Sequence, residues 1–272
     1  MSEFDVIQNT KEGPITQRKL EKDLDALGVR AGMVLVVHSS LNSLGWVSGG
    51  APAVILALES VLGKQGTLVM PTHSGHYSDP AHWENPPVPE DWKPVIRETM
   101  PAFDRALTPT RSMGALAECF RKQQGAVRSS HPHYSFAARG PEAERITADQ
   151  ALDYGFGEET PLGEVYRLGG QILLMGVGQE SNTSLHLAEY RANYPGGQEI
   201  IQGAPILVNG KRQWVQFREL VEESEKFPAL GEAYQQAGGE IHRGMVGNAA
   251  SMLIPQRPLV DFAVDWILAD RK

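Results

Sequence analysis

The chain has a single cysteine, Cys119, among its 272 residues. That excludes an intrachain disulfide and a cysteine-rich zinc site, and it predicts a reducing, cytoplasmic setting. Basic residues are the minority: 25 Lys and Arg against 33 Asp and Glu give a net charge of −8. This balance argues against a nucleic-acid partner and favours cationic small molecules. No apolar stretch approaches the ~20 residues that a membrane span requires, so no membrane partner is expected. The opening MSEFDVIQNTKEG lacks the apolar core of a signal peptide. Also missing are the Gly-x-Ser-x-Gly elbow, the Walker loop and His-Glu-x-x-His. Gly176-Val177-Gly178 begins a dinucleotide fingerprint, but Ser181 stands where the third glycine belongs. Nicotinamide and ATP chemistry of the usual kind is thereby disfavoured.

What is present is core material. Hydrophobic residues make up 41% of the chain and charged residues 21%, a globular balance. Leu20, Leu24 and Leu27 form one stripe, predicting a helix over 16–28 with Thr16 as cap and Gly28 as stop. Buried strands are predicted at 33–37 (MVLVV), at 67–70 (TLVM) and over 171–178 (QILLMGVG). Helices are predicted at 52–62, 112–122 and 183–193, and a C-terminal one carries Leu259, Phe262, Ala263, Trp266 and Ile267 on one face. Cys119, on the apolar stripe of the 112–122 helix, reads as a buried thiol. Asn209-Gly210, between Ile206-Leu207-Val208 and Trp214-Val215-Gln216-Phe217, predicts a hairpin that adds antiparallel strands to the sheet. Helix, strand, loop, helix, strand implies an α/β protein: a three-layer α/β/α sandwich with a mixed β-sheet. Residues 71–109 break the pattern with eight of the 18 prolines and three of the eight histidines. They are expected to form an ordered excursion of one domain, not a domain boundary.

Several constellations could carry chemistry. The run Asn182-Thr183-Ser184-Leu185-His186-Leu187-Ala188-Glu189-Tyr190 follows a strand ending in Gly-x-Gly, which aims a capped helix at the cleft where strands end. His186 then falls in the first turn, where the helix dipole disfavours imidazolium, as a general base requires. The competing reading is a structural histidine beside a cap. His38-Ser39-Ser40 offers another strand-end histidine, with Gly45 to Gly50 as a possible phosphate cradle or a plain helix cap. Arg111 and Arg128 could meet phosphates, and Phe136 could line a channel; surface arginines and a loop aromatic are the alternative. His73, His76, Asp79 and His82 have the look of a metal site for a hydrolase, although no helix aligns them. Glu219, Glu222, Glu223 and Glu225 read as a solvated helix face unless one turns inward.

Taken together, VHSSLNSLGWVSGG (37–50), TLVMP (67–71), TPTRSMGALAECFR (108–121), RSSHPHYSFAARGP (128–141), FGEETPLGEVY (156–166) and ILLMGVGQESNTSLHLAEY (172–190) resemble, in order, the aminoglycoside 3-N-acetyltransferase family. The resemblance runs from about 16 to 268 and implies acetyl-CoA as donor, with no metal. As acceptor it implies the 3-amino group of a 2-deoxystreptamine aminoglycoside. It makes His186 the general base of a direct transfer and puts Thr183 near the thioester. His38, Ser39, Ser40, Leu41, Met113, Gly114, Ser135 and Phe136 go to the coenzyme side. Asp79, Glu189, Glu219 and Glu223 become the acids that meet amines, with Glu219 also a candidate to orient His186 and Glu222 its possible stand-in. The loop at about 71–110 would face the acceptor. Alternatives are the metal-dependent hydrolase, an acetyltransferase of another primary amine, and a non-catalytic binder of the drug. Monomer and homodimer both fit.

Overall fold

A computed structural model describes residues 2–194, 197–221 and 223–270. Helix α1 (Glu3–Asn9) leads into α2 (Gln17–Leu27), where Thr16 Oγ accepts from the Lys19 N–H and Gly28 closes the helix in the left-handed region. Strand β1 (Val34–Ser39), helix α3 (Gly50–Leu62) and strand β2 (Thr67–Pro71) follow. The proline-rich excursion holds short 3₁₀ turns and α4 (Trp92–Thr99). Next come α5 (Gly114–Phe120), β3 (Val127–Arg128), β4 (Phe136–Arg139), α6 (Ala143–Thr147) and α7 (Pro161–Arg167). The second half runs β5 (Gln171–Met175), α8 (Ser184–Ala192), β6 (Glu199–Val208), β7 (Lys211–Leu220) and α9 (Phe227–Gln236). It closes with β8 (His242–Val246), β9 (Ala249–Pro255) and α10 (Gln256–Asp270).

Seven strands form one mixed sheet in the order β3-β4-β2-β1-β5-β9-β8. Strand β1 lies parallel to both β2 and β5, and the outer pairings are antiparallel. The central strands are apolar along their middles because both sheet faces are covered. Leu35, Val37, Leu68, Met70, Leu173 and Met175 pack on one face under α2, α3 and α5. Val36, Val69, Ile172 and Leu174 pack on the other with α6 to α10. Each such aliphatic side chain buried contributes roughly 1.5–3 kcal/mol, so the sheet centre is the stiffest part of the scaffold. The three-layer α/β/α architecture and the mixed sheet are as expected.

The source of the antiparallel strands differs from expectation. The Asn209-Gly210 hairpin forms, with both residues at positive φ (51° and 74°) as the tight turn demands. It is longer than expected, however, and stands as a separate two-stranded sheet of β6 and β7. Antiparallel character in the main sheet comes instead from β3, β4, β8 and β9. Those strands are short or half-exposed, so they lack the unbroken apolar runs that announced β1, β2 and β5.

Strand β1 has β2 on one side and β5 on the other, so connections leave it in opposite directions. Such a switch point opens a crevice beyond the carboxyl ends of the strands. His38 and Ser39 end β1, Pro71 ends β2, and α8 begins nine residues after β5 closes at Met175.

Candidate functional site

Helix α8 starts at the crevice. Thr183 occupies the N-cap position without capping by its own side chain; Asn182 Oδ1 accepts the Ser184 N–H at 3.2 Å instead. Asn193, in the left-handed conformation, ends the helix. The helix was expected to carry a polar face of Thr183, His186, Glu189 and Tyr190. In the fold it is buried almost all round, with Leu185, Leu187 and Ala188 in the core and Gln256 of α10 donating to Ser184 Oγ at 3.1 Å. Its polar groups therefore point into the protein and must be satisfied there.

His186 Nδ1 lies 2.6 Å from Glu189 Oε2, one turn along, and both residues are buried (6% and 3% exposed), while Glu189 Oε1 has no hydrogen-bond partner among the described residues. The Phe156 ring stacks on the imidazole at 4.9 Å and 15°, and Phe227 meets it at 4.9 Å and 60°. The imidazole is thus fixed in plane by aromatic faces and in rotation by a carboxylate. Around it stand two more histidines, His38 buried and His73 half-buried. His38 Nε2 is 3.3 Å from Thr183 Oγ1, and burial, reinforced by the nearness of His186, pushes its pKa down to about 3. His73 is held well below its ordinary value by burial, then by His38 and His186. Its Nε2 is buried with no hydrogen-bond partner among the described residues.

His38, Ser39, Met113, Val177 and Thr183 wall a cavity of about 220 Å³. His186 is not among the lining residues; it follows Thr183 by one turn of α8. A second cavity, about 440 Å³, is built by the proline-rich excursion from His73, His76, Trp83, Glu84 and Arg111, and shares Ser112 with the first.

The remaining expected residues divide. Ser40 and Leu41 begin the 3₁₀ turn after β1, with the Ser40 amide donating to Met175 O and Ser40 Oγ 2.9 Å from Ser43 Oγ. The expected phosphate cradle is closed: the amides of Gly45, Ser48 and Gly50 bond to Asn42, Ile15 and Val47 carbonyls, and that of Trp46 to Thr10 Oγ1. Gly114 opens α5 at positive φ beside Met113. Ser135 and Phe136 do not line a channel; both are fully buried, Ser135 bonded to Thr72 O and Arg128, and Phe136 packed in the core. Arg128 is likewise not a phosphate ligand but an internal clamp on the carbonyls of Thr108 and Thr72.

The acids need larger corrections. Asp79 is buried and paired with Arg97 at 2.6 Å, and it also accepts the Ala81 N–H. The arginine offsets its charge, leaving little for a ligand amine. Glu189 was assigned to substrate but is committed to His186. Glu219 is fully buried on β7, where it accepts from the Gly155 N–H and the Tyr190 hydroxyl. The carboxylate on His186 Nδ1 is Glu189, because a His-x-x-Glu spacing brings the two together on one helix. Glu223 is exposed next to a 3₁₀ turn, and Glu222 lies outside the described residues. The acidic run is thus a strand end and a turn, not a helix face.

The metal reading also dissolves. Among the described residues no three His, Cys, Asp or Glu side chains converge on a point that could hold an ion. Asp79 turns to Arg97 and His82 Nε2 to Ile201 O, at 3.1 Å. Sequence reasoning missed Phe156, for which its place between Gly155 and Gly157 was the available signal, and Phe227, which stands between Lys226 and Pro228.

A family model described as aminoglycoside 3-N-acetyltransferase matches residues 36–268. The Bacillus subtilis SPbeta prophage-derived aminoglycoside N(3')-acetyltransferase-like protein YokD is 46% identical over 94% of this chain and 93% of its own. The YokD crystal structure superimposes with a TM-score of 0.94, covering 97% of each chain. Aminoglycoside N(3)-acetyltransferase VII of Streptomyces paromomycinus is 36% identical, over 94% of this chain and 92% of that one. The structure of AAC-IIIb binary with CoASH matches at 29% identity, TM-score 0.85, covering 95% and 98% of the two chains.

Proposed function

The chain belongs to the aminoglycoside 3-N-acetyltransferase family, and from that premise we propose that it transfers the acetyl group of acetyl-CoA directly to the 3-amino group of a 2-deoxystreptamine aminoglycoside, with His186 as general base. The observation that carries this reading is the buried His186–Glu189 pair at 2.6 Å, set in the first turn of a helix beside the switch-point cavity. A neutral imidazole that donates its Nδ1–H to Glu189 carries its lone pair on Nε2, the form a base needs.

The donor thioester enters the cavity of His38, Ser39, Met113 and Thr183. The AAC-IIIb complex with CoASH supports a coenzyme site in this fold. The amine enters from the neighbouring cavity, where the Trp83 ring offers a flat face to a sugar and Glu84 a carboxylate to a cation. As the amine nitrogen adds to the thioester carbonyl, Nε2 takes its proton. The tetrahedral oxyanion then collapses with cleavage of C–S, and the sulfur leaves as coenzyme A thiol with the proton returned by the imidazolium.

Purified protein incubated with acetyl-CoA and a panel of aminoglycosides should release one free thiol per acetylated drug, with the new amide on the 3-amino nitrogen. Release with other primary amines but with no aminoglycoside would reassign the acceptor; no release at all defeats the reading. Glu189→Gln provides a second measurement. The amide would donate to Nδ1 and impose the tautomer protonated on Nε2, which cannot accept a proton. Turnover is expected to fall by about 10²–10⁴, as when a catalytic-triad carboxylate becomes an amide, and unchanged turnover would remove Glu189 from its role.

A further inference from the structure

The His186 ring is the end of a column of aromatic rings. Phe156 lies on it at 4.9 Å and 15°, Tyr134 lies 4.3 Å beyond at 39°, and His131 stacks on Tyr134 at 5.3 Å and 27°. His73 packs against the side of the column, 5.3 Å from Phe156 and 5.7 Å from Tyr134.

The far end is anchored. His131 Nδ1 accepts the amides of His133 and Tyr134, both at 3.1 Å, so its hydrogen sits on Nε2 and goes to Leu152 O at 3.1 Å. The segment that carries Phe156 is tied down on each side. Gln150 Nε2 donates to the carbonyls of Tyr134 and Gly155, the Gly155 amide goes to Glu219, and the Gly157 amide returns to Tyr154 O. Gly155 must be glycine for this approach: a Cβ there would lie 2.5 Å from Tyr134 Cδ2 and 2.9 Å from His131 Nε2. Phe156 itself is 1% exposed.

We infer that Phe156 is a positioning residue for His186, holding the plane of the imidazole so that Nε2 keeps its aim at the reacting amine. The inference rests on His186 being the base. Glu189 holds one ring nitrogen, Phe227 meets the ring edge-on, and the Phe156 face, near-parallel at 15°, sets its plane. Displacements of about 1 Å at a reacting group cost up to about 10²-fold in rate.

The test is a double-mutant cycle on the full chain, read by thiol release from acetyl-CoA. Phe156→Leu and Phe156→Met keep apolar bulk but lose the flat face; Met is the second choice if Leu folds poorly. In the wild-type background each should lower kcat about ten- to hundredfold, with KM for acetyl-CoA little changed. In a His186→Ala background the same substitutions should alter the residual rate by less than about twofold, since the group they act through is gone. Equal losses in both backgrounds, or an unchanged kcat in the first, would overturn the inference. If His186→Ala itself retains turnover, the base assignment fails first, and the two failures are told apart by that single variant.

Discussion

His186→Ala lowers kcat by about 10²–10⁴-fold, the range that a positioned general base contributes, while acetyl-CoA binding is largely retained. The split follows from where the ring sits. The cavity proposed for the coenzyme is walled by His38, Ser39, Met113, Val177 and Thr183, and His186 is not among its lining residues. Truncating it removes an interaction made as the proton moves, not the surface that meets the donor. A cavity is left between Phe156 and Phe227, so Tm will drop as well, and the measurement must separate the two effects. Coenzyme A binding by calorimetry, with kcat from thiol release at a temperature well below Tm, does so. Loss of coenzyme binding with kcat per bound donor intact would make His186 structural.

Acid unfolds this protein early. His38, His131 and His133 are buried neutral, with pKa values held down to about 3, about 3 and about 4 by loss of hydration; His73 is shifted in the same direction. In the unfolded chain each titrates near 6.5. Below that pH the unfolded state binds protons that the native state refuses, so stability falls as pH drops from about 6.5 towards 4. At pH 5.5 each of the three costs about 1.4 kcal/mol, or about 4 kcal/mol together. That is a large part of the 5–15 kcal/mol typical of a folded domain. The paired carboxylates, such as Glu158 with Arg191 and Glu164 with Arg167, have depressed pKa values. Their contribution is lost only below about pH 4.5, so it does not mask the histidine effect at 5.5. Urea unfolding at pH 7.5 and 5.5 reads the difference directly, and equal free energies at the two pH values would refute the account.

Much of the scaffold was legible because its signals are local. The runs at 33–37, 67–70 and 171–175 announce strands buried on both faces. Thr16 and Gly28 mark the ends of α2 through their own side-chain bond and backbone angle. The place of His186 was legible too, as a histidine one turn into a helix that follows a strand end. The proline-rich segment holds short 3₁₀ turns and α4, and its Trp83 and Glu84 wall a cavity.

Partner choice was not legible. Asp79 could be read as an acid, but only the packing of α4 brings Arg97 onto it. Glu219 and Glu189 look alike as letters; one is buried under Gly155 and Tyr190 and the other bonds the imidazole, and the difference lies in how β7 and the Gly155 segment fold over α8. The amphipathic reading of α8 failed because α10 and the neighbouring loops cover its polar side, so periodicity overstated its exposure. Phe136 and Ser135 looked like channel residues in a loop and became a strand interior once β4 paired with β2. By itself, then, the sequence determined the layered α/β core, the family and the histidine at the helix start, all written in apolar runs and caps a few residues long. The tertiary structure alone decided which carboxylate holds the base, which acids are neutralised and which rings enclose it, because those contacts join segments tens of residues apart and depend on distances of a few ångströms.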